Sequence, residues 1–166
     1  AQGFVTAVQG GGTRITAAAD QLDSALARLV RSNRNNLHDL AEVRANLEVW
    51  AARRAAERAT PEQQIELQQL CREMRQQADS AQTLAELDLR FHLLLADATQ
   101  NQLFRILLTP LIEQLQGHFL SMWEGYGSRP LERVFRQHEA LADAIQNGNP
   151  EKARKLMSKH LAYSGE

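Results

Sequence analysis

An aspartate and a histidine four residues apart, Asp88 and His92, interrupt the leucine-rich stretch LDLRFHLLLADATQN at residues 87–101. At about 100° per residue, that spacing stacks the two side chains one above the other on a helix. They fall between Leu84 and Leu95 on one side and Leu89 and Leu93 on the other, whereas Glu86, Arg90 and Asp97 take the opposite face. The pair therefore points into the protein. A carboxylate there needs a partner, because burying an isolated charge is strongly unfavourable.

Two further histidines sit in apolar stripes nearer the carboxyl end. His138 lies among Leu131, Val134, Phe135, Leu141, Ala142 and Ile145, and His160 lies among Ala153, Leu156, Met157 and Tyr163. Each imidazole alone reads most simply as a core residue bonded to a carbonyl or an acid. Asp88 could serve as such a partner. Three inward imidazoles with a carboxylate at helical spacing point instead to a divalent metal: zinc first, with nickel, manganese or iron also compatible. A bundle core is a usual place for such a site. Four ligands close a tetrahedron, or leave positions open if the ion takes five or six.

The segment EVRANLEVW puts Arg44 and Glu48 on the same side of a helix as Leu37, Leu40, Ala41, Leu47 and Ala51. They read equally as a core ion pair or as an arginine offering its planar fork to a carboxylate ligand. His38 and His118 have no partner evident from spacing and read as surface or interface residues. Trp123 and Tyr126 read as packing near a helix end, and Cys71 as a small core residue.

The elements that must position these groups are helical. Apolar periodicity predicts helices over 18–32 and about 37–59. A third opens at the capping box Thr60-Pro61-Glu62-Gln63, and a fourth covers about 82–98. Asn101 caps a fifth, kinked or broken near Pro110. Ser128 and Pro130 begin a sixth that stops at Asn147-Gly148, and Asn149-Pro150 opens a seventh. The first sixteen residues differ: Phe4, Val5 and Val8, then Gly10 to Gly12, read as a short glycine-turned hairpin. The expected fold is all-α, an antiparallel bundle of about seven helices behind a β-hairpin remnant.

With 166 residues, 43% hydrophobic, the chain suffices for one domain with a substantial core. A net charge of -1 argues against a surface built mainly for nucleic acid. The single cysteine permits no internal disulfide and fits a reducing compartment. No apolar run has the length of a membrane span and no signal peptide opens the chain, so the default is a soluble cytoplasmic protein.

The ordered set Arg44-x-x-Leu47-Glu48, Asp88-x-x-x-His92 followed by ADATQN, then His138 and His160, resembles the effector-binding C-terminal domain of GntR-type transcription regulators in the FadR-like branch, the FCD domain. The resemblance covers about residues 20–164. It implies a division into 1–16, the end of a winged-helix wing, and 17–166, an effector-binding and dimerisation domain. It implies that Asp88, His92, His138 and His160 are metal ligands and that Arg44 helps hold an effector carboxylate. The implied partners are a small organic acid, a second copy of the chain, and a DNA operator read by a winged-helix head mostly absent here. A repressor is the commoner outcome in that family. The competing reading is a helical-bundle hydrolase or oxygenase at the same site, for which Glu48 is the one inward acid that could act as general base.

Overall fold

A computed structural model of the chain describes the backbone of residues 16–33, 35–77, 80–125 and 128–163, and the side chains of 21–33, 35–77, 80–115 and 131–162. Seven helices follow one another: α1 Thr16–Ser32, α2 Asn35–Arg58, α3 Pro61–Gln76, α4 Ala81–Ala98, α5 Gln102–Gly125, α6 Ser128–Gln146 and α7 Pro150–Tyr163. Among the described residues there is no strand. The fold is all-α, as expected. The hairpin expected over 1–16 lies outside the described residues, except for Thr16, which already begins α1. Tyr126 and the side chains of His118 and Trp123 lie outside them too.

α2 is the hub. It packs against α7, α4, α5 and α6, while α3 joins α6 and α4, and α1 lies on α5 and α2. Its second half buries Ala51, Ala52, Ala55 and Ala56. Such small side chains let neighbouring backbones come close without leaving voids. Most of the interior forms one continuous apolar body that draws on α2, α3, α4, α5, α6 and α7. A second, smaller cluster of Ala51, Ala96, Phe104, Leu108 and Ile112 seats α5 on α2 and α4.

Local chemistry fixes where the helices begin and end. The Thr60 hydroxyl accepts from the Gln63 amide at 3.3 Å and the Gln63 side chain accepts from the Thr60 amide at 3.0 Å, with Pro61 in the first turn. A cap of this kind contributes roughly 1 kcal/mol. Ser80 starts α4 in the same way, accepting from Thr83 N at 3.3 Å. α5 runs through Pro110 as one helix, so of the kink or break expected there the break does not occur. Pro110 is buried and is followed by the buried Leu111, Ile112 and Leu115, so packing offsets the lost backbone bond.

The link between α6 and α7 is tight. Gly148 has a φ of 58°, the left-handed region that glycine enters without steric cost. Its amide donates to Ile145 O at 3.0 Å, and Asn149 N donates to Ala144 O at 2.9 Å. The Asn149 side chain then caps α7 by accepting from Lys152 N at 3.1 Å.

Candidate metal centre

Among the described residues, the buried polar or charged side chains are Arg44, Glu48, Asp88, His92, Thr99, His138 and His160. All but Thr99 belong to one group at the centre of the bundle. α4 supplies Asp88 and His92, α6 supplies His138, α7 supplies His160, and α2 supplies Glu48 and Arg44.

The four residues singled out from sequence converge. One ligand atom from each of Asp88, His92, His138 and His160 lies within 4.8 Å of every other. Asp88 Oδ1 is 3.1 Å from His138 Nε2 and 3.8 Å from His92 Nε2, and the Nε2 atoms of His92 and His160 are 3.3 Å apart. Ligands each about 2 Å from a common ion stand roughly 3–4 Å from one another. The observed spacings match that requirement.

Hydrogen bonds on the far side of each ring fix its orientation. His138 Nδ1 donates to Val134 O, one turn back on its own helix, at 3.0 Å. His92 Nδ1 meets Glu48 Oε2, and Glu48 Oε1 in turn receives Arg44 Nε. His160 Nδ1 donates to the Gln137 amide oxygen at 3.2 Å. All three partners are acceptors, so each Nδ1 carries a proton and the Nε2 atoms face inward, available as ligands wherever the ring is neutral. His138 Nε2 is buried without a hydrogen bond, because its 3.1 Å approach to Asp88 has the distance of one but not the direction. Three lone pairs and a carboxylate thus share one dry space. That arrangement repels itself unless positive charge lies between the ligand atoms, and the residues present fit a divalent ion.

Charge follows the same logic. Burial pushes the Asp88 carboxyl up, but the surrounding imidazoles, His92 foremost, outweigh it and hold the group below the usual carboxylate range. Burial, and then the neighbouring His138 and His92, push His160 well below the ordinary imidazole value, which keeps it neutral. Glu48 is likewise raised by burial and lowered by more, through Arg44 and His92, so it stays ionised.

Arg44 therefore makes the core ion pair that was one of its two sequence readings, and its charge also bears on His160. Glu48 is not poised as a general base. Both its oxygens are engaged, and it sits behind His92 on the Nδ1 side, away from the Nε2 atoms. His38 is exposed beside Glu42 at 3.6 Å. Cys71 is buried, with its thiol pushed up to about 12, mainly by burial, which leaves it inert as a nucleophile. The ADATQN motif ends α4. Thr99 Oγ1 donates to Ala96 O at 2.7 Å, Gln100 takes a φ of 55°, and Asn101 caps α5 by accepting from Phe104 N at 3.2 Å. Sequence reasoning missed two participants: Gln137, and the direct bond from Glu48 to His92. The acid's inward phase hinted at the second; nothing in the periodicity marked the first.

Comparison with known proteins agrees with this architecture. The FCD domain profile matches residues 39–163. The chain is 28% identical over 165 residues to the HTH-type transcriptional regulator LutR of Bacillus subtilis, covering 97% of this chain and 75% of that one. It is 35% identical over 130 residues to the Uxu operon regulator of Haemophilus influenzae, covering 74% of this chain and 47% of that one. The solved structure of Streptococcus agalactiae GntR superposes with a TM-score of 0.64 at 22% identity, over 98% of this chain and 74% of that one. These relatives are regulators rather than enzymes. The chain belongs to the FCD-domain family of GntR-type transcription regulators.

Proposed function

We propose that this chain is the sensing domain of a DNA-binding transcription regulator, in which a divalent ion held by Asp88, His92, His138 and His160 receives a small organic-acid anion. One observation carries the reading: the Nε2 atoms of three buried imidazoles and the Asp88 carboxylate converge, while each Nδ1 faces an acceptor on the far side of its ring. Zinc suits this ligand set best, with nickel, manganese or iron as alternatives. The ion would supply a fixed positive centre for the anion, taking it as a fifth or sixth ligand beyond the four protein groups. Arg44 would add a second positive centre on the α2 side, held by its ion pair with Glu48.

The four ligands come from three helices, so an anion that shifts the ion shifts α4, α6 and α7 against one another. Such a shift changes operator affinity only if the anion binds two arrangements of the protein unequally. In a homodimer, this difference would alter the placement of two winged-helix heads on a palindromic site, with release of a repressor as the outcome. LutR is named as an HTH-type regulator, which supports the DNA-binding part of the proposal.

The test is metal analysis of the purified chain, followed by calorimetry against a panel of small carboxylates. One ion per chain is expected, with retention lost in His138→Ala and in Asp88→Ala. Hydroxy, keto and dicarboxylic acids are expected to bind the loaded chain and not the stripped one. A chain that takes up no divalent ion refutes the proposal. A loaded chain that ignores every acid reduces the site to a structural tie.

A further inference from the structure

The three imidazoles are not anchored alike. His138 is held by the backbone of its own helix, and His92 by a carboxylate that is itself buried against Arg44. Neither anchor can be exchanged for water without disrupting the core. His160 instead depends on a neutral side chain from another helix, Gln137 of α6. Gln137 is half-buried and lines an open groove of about 550 Å³ between α6 and α7, beside Arg133, Arg136 and Lys159. One end of this amide touches a buried imidazole, while the groove gives water access to it. A side-chain amide, unlike the backbone carbonyl or the carboxylate, can also turn over to present donors instead.

We infer that Gln137 is the positioning residue for His160, and that His160 is the limb that swings away first when the ion exchanges. The inference rests on the divalent-ion reading above. Losing the Gln137 bond removes the acceptor that orients the ring at Nδ1 and lowers its basicity, which characteristically costs 10–100-fold in metal affinity. A carboxylate at this position would do the reverse, giving His160 the kind of partner His92 already has.

The experiment loads the chain with zinc and follows its release to a competing chelator in the unaltered protein, Gln137→Leu and Gln137→Glu. Cobalt(II) loading gives an independent absorption readout of the ligand field. Release about 10–100-fold faster is expected for Gln137→Leu, with an altered cobalt spectrum, while Gln137→Glu restores or slows release. Thermal unfolding of the stripped proteins should leave Gln137→Leu close to the unaltered chain, which separates positioning of His160 from a general loss of packing. If the unaltered chain takes up no zinc, the ion reading falls and takes this inference with it. If it takes up zinc and Gln137→Leu releases it no faster, this inference alone is overturned.

Discussion

The two sides of α4 are both buried, yet different forces hold them. Toward α5, Leu89, Leu93 and Ala96 pack with Phe104, Leu108 and Ile112, and contact there is non-directional. Toward α2, α6 and α7, Asp88 and His92 enter a polar cluster in which His92 Nδ1 meets Glu48 and Glu48 in turn meets Arg44. The apolar side is specified by volume. The polar side is specified by identity, because an interior atom that loses its partner forfeits the whole cost of leaving water.

The sharpest break in that comparison is Glu48→Ala. It removes the buried carboxylate that pairs with the Arg44 guanidinium, itself 3% exposed, and that meets His92 Nδ1. We expect a loss of about 3–5 kcal/mol in denaturant unfolding of the stripped chain; a loss below about 1 kcal/mol would mean the network is not the interior it resembles. Next comes Leu108→Ala on the apolar side, where Leu108 is fully buried. About 3 kcal/mol should be lost by the same measurement, whereas the volume-conserving Leu108→Met should cost less than about 1.5 kcal/mol. Equal damage from the methionine and alanine variants would contradict the claim that volume alone matters there.

The smallest effect is a pH dependence. His160 is held below its ordinary value of 6.5 in the folded chain. Between 6.5 and that lower value the unfolded state binds a proton that the folded state refuses. Stability of the stripped chain is therefore full above 6.5 and falls as the medium becomes more acid, by roughly 1.4 kcal/mol per pH unit for one proton. Asp88 is depressed as well and adds to the loss at still lower pH, below its ordinary 3.8. Unfolding midpoints that stay flat from pH 7 to pH 5 would contradict a buried neutral His160.

Much of this was legible before any coordinates. The inward phase of Asp88, His92, His138 and His160 could be read because each stands in a strong apolar stripe, where a polar residue breaks the period. The caps at Thr60 and Asn101 and the stop at Gly148 were legible because they are local, set by three or four neighbouring residues. At Pro110 local chemistry allows a kink or a break, and tertiary packing around Leu108, Leu111 and Ile112 keeps α5 a single helix. Gln137 escaped notice because its role depends on how α6 and α7 lie side by side. A glutamine next to a histidine carries no periodic signal of its own.

The short turn at Asn147–Asn149 makes residue counting a constraint on the cluster. His138 stands eight positions before the end of α6 and His160 ten positions after the start of α7. At 1.5 Å per residue, the two rings reach similar heights, about 12 and 15 Å from the turn. One residue inserted into α7 ahead of His160 would rotate the ring by about 100° around the helix axis, to the side now taken by Leu161. Descendants of this chain can thus replace surface side chains freely, but the interval between Gly148 and His160 tolerates neither gain nor loss.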